Sequence, residues 1–271
     1  MSRTLDVGHG ARPLEDQSIR TRRTVPLSAQ IGVVLLAVLG LWELLSRTEV
    51  IDPRLFSSPT GIVQAFLELQ AAGEIWHHVG VTVVELLLAT VIFTVAGTLL
   101  GIVLGLSPLA FEVTYGPIAT LFAFPKVTLF PIFIMAVGLG TTSKVLFGAV
   151  FGVFPLLMGM MVAVRGIRAL HLQLFDAIGA SFWFRCSRLF VPSTLPAMVS
   201  ALRIGFVYAG IGVLLAEMFA AVSGLGNRIV GAGYQSTLDQ FWVYVVLTSV
   251  ILLAGAGALR ALEMRLSRWS D

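Results

Sequence analysis

Lys126 and Glu217 lie inside long apolar stretches of this 271-residue sequence. Ionisable groups at such positions are functional candidates by default, because hydrocarbon forces them to pair with, or attract, an opposite charge. Lys126 stands between Pro125 and Pro131. Those prolines remove backbone donors and loosen a helix at that point. A cation in such a break could attract an anion, reach an interface or pair with Glu217. Glu217 suits a gate or a structural pair. Arg203, in the same stretch as Glu217, reads as an interface anchor. Glu43 and Glu85 fall near the ends of their stretches, within reach of water. Phe122, Phe124, Phe130 and Phe133 read as packing or lipid-facing side chains, of which one or two at most would line a path.

Other chemistry is missing. His77 and His78 follow Trp76, but adjacent helical residues point about 100 degrees apart, so the pair reads as an interfacial belt and not as metal ligands. One cysteine, Cys186, excludes an internal disulfide and a multi-cysteine metal site. No G-x-x-x-x-G-K-[ST] phosphate loop, H-E-x-x-H pair or G-x-S-x-G elbow occurs. Neither catalytic nor metal residues are expected. Four scattered histidines offer an intramembrane hydrolase no base beside a nucleophile.

The elements that carry these residues follow from composition. The chain is 57% hydrophobic and 12% charged, about half the roughly 25% charge of soluble domains. Mean hydropathy is +0.91. No polar shell can be built from so few polar residues, which excludes a soluble enzyme. The basic balance, +3, sits beside apolar spans and points to a membrane surface, not to nucleic acid.

Residues 24–42, 86–111, 127–143, 145–164 and 240–259 carry no charge. In lipid such runs must be helices, since nothing else satisfies the backbone. The expected fold is all-α and polytopic. Six spans are placed at about 27–45, 79–106, 115–138, 143–165, 197–222 and 240–262, forming one transmembrane domain over 27–271. Residues 1–26, with five arginines, read as a disordered basic cytoplasmic tail and not as a cleavable signal. With the N-terminus inside, thirteen Lys and Arg fall in inner segments and four in outer ones, which places both termini in the cytoplasm.

Smaller features fit this frame. Gly97, Gly101 and Gly105 form a small-residue stripe for close helix approach. Ser58-Pro59 reads as a helix start, Ile62, Phe66 and Leu69 as one apolar face, and Gly73 as the stop. The long inner loop, 166–196, carries two short helical patterns around Gly179. Leu170, Leu174, Ala177 and Ile178 mark an apolar face before the glycine, and Phe182, Cys186, Leu189 and Phe190 mark one after it. Pro192 and Pro196 then stop this element and admit the next span.

This loop resembles the EAA loop of bacterial ABC importer permeases. Gly179-Ala180-Ser181 and Trp183 match its middle, and Val191-Pro192 through Leu195-Pro196 its end. Gln173-Leu174-Phe175 stands where Glu-Ala-Ala is typical, with Asp176 the nearest acid. The resemblance runs from about residue 30 to the C-terminus and points to the nitrate/sulfonate/taurine branch. Trp42-Glu43, Ser58-Pro59, Pro125-Lys126 to Pro131 and Gly138-Leu139-Gly140 carry it. So do Ala201-Leu202-Arg203, Ala216-Glu217, Gly224-Leu225-Gly226 and Leu262-Glu263 to Trp269.

The resemblance implies a type I ABC importer fold in the bacterial inner membrane. It implies a permease that moves a small anionic solute, such as a sulfonate, taurine or nitrate, by alternating access. The expected partners are a cytoplasmic ATP-binding subunit that uses ATP and Mg, a periplasmic or lipid-anchored substrate-binding protein, and a second copy of the chain. No cofactor is expected on the chain itself. Gln173, Asp176, Ala177, Gly179, Ala180, Ser181, Trp183, Pro192 and Pro196 would form the ATPase-coupling loop. Pro125, Lys126, Pro131 and Glu217 would belong to the pathway or gate. The alternative is a self-contained secondary transporter or channel. That reading predicts an internal repeat with paired broken helices, and only the third span looks broken.

Overall fold

Residues 27–48, 57–167, 169–220 and 222–267 are described by the structure, a computed structural model. The expected basic tail, residues 1–26, lies outside the described residues, as do the Leu170, Phe182 and Cys186 side chains of the two apolar faces. The chain divides into two units, Met1–Trp42 and Glu43–Asp271. Helix α1 (Leu27–Arg47) begins in the first and ends in the second. No strand occurs among the described residues. Five of their helices are long and apolar enough to cross a membrane, and a bent pair makes a sixth if taken as one broken span.

In the larger unit, α2 (Pro59–Ala71) starts as its sequence requires. Ser58 Oγ accepts from Gly61 N at 3.0 Å, and Pro59 occupies the first turn, where no N–H partner is needed. Gly73 ends the helix at a φ of +77°. Ala65 and Leu69 are buried, in one apolar cluster with Ile75, Leu225, Val243 and Tyr244.

The main seam joins α3 (Ile75–Leu106), α6 (Thr141–Arg165) and α9 (Val191–Ala220). Leu86, Ala89, Phe93, Leu156, Met160 and Val213 fill it. Gly97, Gly101 and Gly105 are all buried on α3. A Cβ on Gly101 would strike Met160 Cβ and come within 2.9 Å of Leu157 O. The stripe therefore faces α6, and missing side chains let the two backbones touch. In lipid this close packing, not water release, holds helices together.

Several elements differ from their expected form. The third span is two helices: α4 (Pro108–Ala123), then a tight turn Lys126–Leu129 and α5 (Phe130–Val137), bent by 80° from α4. It starts seven residues before the expected position because Ser107 caps Pro108, Ser107 Oγ accepting from Ala110 N at 3.3 Å. Pro192 and Pro196 do not separate the inner loop from the next span. Helix α9 already begins at Val191, so Pro192 sits in its first turn and Pro196 inside it. Helical backbone enters α9 directly from the wider turn Cys186–Phe190, so Pro192 forgoes one backbone donor within it and does not end it. The connection after α9 contains a helix the sequence reading lacked, α10 (Leu225–Tyr234), before α11 (Leu238–Ser267).

Candidate functional site

At the end of the bundle where α3 and α6 begin, a buried polar cluster joins four helices. Glu85 of α3 pairs with Lys144 of α6, and both side chains are almost fully enclosed. Glu85 was expected to reach water and does not; it is 1% exposed. Its place on α3 puts it inside the seam facing Lys144, and the opposite charge replaces the lost hydration. Beside this pair, Thr82 Oγ1 donates to Glu217 Oε1 at 2.7 Å, and Gly226 N donates to Glu217 Oε2 at 2.7 Å. Leu225 N donates to Thr82 Oγ1 at 2.9 Å. Glu217 is 0% exposed. Its carboxyl thus accepts from α3 and from the first turn of α10, whose amides have no partner within their own helix.

The Gly224-Leu225-Gly226 motif makes this contact possible. Gly224 has a φ of +112°, and a Cβ there would overlap the Glu217 carboxyl. A Cβ on Gly226 would lie 2.7 Å from Glu217 Cβ. Only hydrogen at these two places lets the chain fold over α9 closely enough to give the amide to Glu217.

His78 is also buried, not interfacial as expected, although Trp76 and His77 beside it are exposed. Its Nδ1 lies 3.1 Å from Gly224 N and its Nε2 lies 2.7 Å from Arg228 Nε. A neutral imidazole accepts at one nitrogen only, so one of these approaches is a full hydrogen bond. Among the described residues no cluster of three or more potential metal ligands occurs.

Lys126 occupies the bend of the third span. Pro125 precedes it with a ψ of 80°, and Pro131 lies in the first turn of α5, where it costs no bond. Lys126 does not pair with Glu217, whose two oxygens are taken by Thr82 and Gly226. Instead Nζ donates to Phe122 O at 2.7 Å and sits 5.0 to 5.3 Å from the ring centres of Phe122, Phe151 and Phe154. Phe130 and Phe133 pack on Phe147, which anchors the segment after the bend. Arg203 of α9 pairs with Glu263 of α11 at 3.3 Å, and Glu43 pairs with Arg47 at 2.7 Å while accepting from Thr60 Oγ1 at 2.8 Å.

At the other end of α6 stands the helix–Gly–helix element, α7 (Ala169–Ala177) and α8 (Phe182–Arg185). Gly179 takes a φ of +62°. Ala180 N donates to Phe175 O at 3.0 Å and Gly179 N to Asp176 O at 3.0 Å, a glycine-terminated helix end. Ser181 then starts α8, its Oγ accepting from Phe184 N at 3.3 Å. The Gly-Ala-Ser motif is thus one helix stop followed at once by one helix start. Asp176 pairs with Arg185, whose Nε also donates to Ala180 O at 3.0 Å, and Phe175 packs on Phe184. Gln173, Ala177, Ser181 and Pro192 are exposed, and Ala180 and Pro196 are half-buried. Trp183 is 80% exposed, with Leu174, Ile178 and Phe184 exposed nearby in the chain. One turn, Cys186–Phe190, joins α8 to α9 without a break.

Residues 97–268 match the family described as the binding-protein-dependent transport system inner membrane component. The chain belongs to that family. It is a permease of the ABC importer type, a multi-pass inner-membrane protein whose family supplies the transport component and not a catalytic subunit. The permease is 26% identical over 259 residues to the taurine transport system permease protein of Escherichia coli (strain K12), covering 90% of this chain and 92% of that one. It is 24% identical over 242 residues to a Bacillus subtilis (strain 168) permease named provisionally for aliphatic sulfonates transport, covering 89% and 87%. It is 26% identical over 234 residues to the formylaminopyrimidine transport permease protein of Halalkalibacterium halodurans, covering 86% and 93%. These names place the permease in the branch its motifs suggested.

The permease's Thr82, Glu85, Lys144 and His78 were not singled out together from sequence. One signal was available: Glu85 and Lys144 are opposite charges near the starts of two apolar helices.

Proposed function

We propose that the permease is the membrane-spanning subunit of an ATP-driven importer of a small anionic solute. Two copies form the pathway. A substrate-binding protein delivers the solute at the end carrying Glu217 and α10, which faces outward. A separate ATP-binding subunit, using ATP and Mg, docks at the opposite end on residues 166–196, on the cytoplasmic side, where both termini are also expected. The permease itself makes and breaks no bonds.

The supporting observation is the helix–Gly–helix element. Its exposed Trp183, Leu174 and Ile178 offer an apolar docking face. Its second half runs through Cys186–Phe190 straight into α9, so force applied at Trp183 reaches a spanning helix without a flexible joint. The aliphatic sulfonate relative supports an anionic solute, the taurine relative adds a zwitterion that shares the sulfonate head, and the formylaminopyrimidine relative marks how far the branch can vary.

Copurification tests this. Coexpressed with candidate ATP-binding subunits from the same genome, the permease is expected to form a stable complex with one of them. A Gly179→Asp variant, which forces a side chain into a φ of +62°, is expected to lose that complex or its ATP-coupled uptake. Full coupled uptake by the variant would sink the assignment.

A further inference from the structure

Lys126 lines a cavity of about 430 Å³ at the bend of the third span. The other walls include Phe122, Phe151, Tyr208 and Leu215, and of the lining side chains only Lys126 and Tyr208 carry polar atoms. Lys126 is 7% exposed. Its ammonium has three donors and one is met, by Phe122 O. Among the described residues no carboxyl pairs with it; ring faces take the remaining charge. That is an expensive way to keep a cation, since aromatic faces replace water only in part. The buried carboxyls of Glu85 and Glu217 have partners of their own.

We propose that this cavity is a transit subsite for an organic anion with an apolar alkyl or aryl body, its charged head on Lys126 and its body against Phe122, Phe151 and Leu215. This rests on the importer reading and narrows its solute. A bare inorganic anion would leave its hydration shell and find two polar side chains in exchange, which makes entry costly. A zwitterion would place its ammonium beside Lys126 or against rings already shared with it. An apolar body has neither problem, and the volume suits a small organic molecule. The pair of prolines explains why the cavity is here: they break the helix, and the bend swings Lys126 back toward Phe122 instead of outward to lipid.

The test uses the full-length permease in lipid nanodiscs with benzenesulfonate as probe, read by saturation-transfer NMR. Losing a charge-assisted contact is expected to weaken binding about tenfold or more in Lys126→Met, while Lys126→Arg keeps it. Leu215→Trp, which fills the cavity and leaves the cation, is expected to weaken it as well. Toluenesulfonate should displace the probe, and nitrate and taurine should not. Wild-type binding by Lys126→Met, or equal displacement by nitrate or taurine, overturns the proposal. Copurification of the wild-type permease with an ATPase reports the importer reading separately, so either can fail alone.

Discussion

Glu217, near the end of α9, takes a hydrogen bond at 2.7 Å from the backbone N–H of Gly226, nine residues later in α10. The two helices are joined by a buried carboxyl capping the next helix, and not by a loop alone. Thr82 holds the second oxygen, so α3 is part of the same clasp. The first amides of a helix have no partner within it, which is why a carboxyl is accommodated there.

Removing that carboxyl strands buried donors. Glu217→Ala leaves Thr82 Oγ1 and Gly226 N without acceptors, at about 1–3 kcal/mol for each buried group. Thermal unfolding in detergent should show a clear drop in midpoint.

Gly226 and Glu217 should act as one unit. Gly226→Ala alone pushes a methyl against Leu214 O and Glu217 Cβ, at a cost of about 1–3 kcal/mol. In a double-mutant cycle with Glu217→Ala, only the part of this cost that comes from losing the Gly226 N–H bond to the carboxyl should disappear, because Leu214 O and the Cβ at position 217 both remain. Additive effects would mean that the clasp is not a unit.

The Glu85–Lys144 pair gives a different pattern. Glu85→Met leaves Lys144 buried without its partner, which destabilises by about 3–5 kcal/mol. Changing both to Met should recover most of that loss, because apolar residues fill the site without a charge to hold. Unfolding midpoints of the two single variants and the double variant test this directly.

In the inner element, Ser181→Ala removes the cap of α8 at about 1 kcal/mol. The expected result is faster amide exchange at Phe184 and Arg185, with the bundle unchanged. Asp176→Asn removes a largely exposed ion pair, worth under about 1 kcal/mol, and should leave exchange in α9 as it was.

Much of this was legible in the chain. Apolar length alone demands spanning helices, and Ser58-Pro59 and Gly73 mark α2 closely because capping is local chemistry. Gly179 and Ser181 were readable for the same reason. The stretch around Pro125 and Pro131 was legible as a break, though not as an 80° bend. Its angle depends on Phe130 and Phe133 packing against Phe147, which is distant in sequence. Pro192 was misread as a boundary because a proline usually stops a helix before itself, whereas here the wider turn Cys186–Phe190 carries the helical backbone past it, which no local rule announces.

The sequence by itself determined the class of the protein: all-helical, membrane-spanning, with a helix–Gly–helix element of a known permease type. Hydropathy, caps and glycine stops act over a few residues, so one chain displays them. What Glu85, His78, Lys126 and Glu217 touch was decided only by tertiary structure. Each is a polar group in an apolar span, and its state depends on which other helix supplies a partner: Lys144 for Glu85, Gly226 and Thr82 for Glu217, aromatic rings for Lys126. Those partners lie on other helices or across a break, and no local rule orders them.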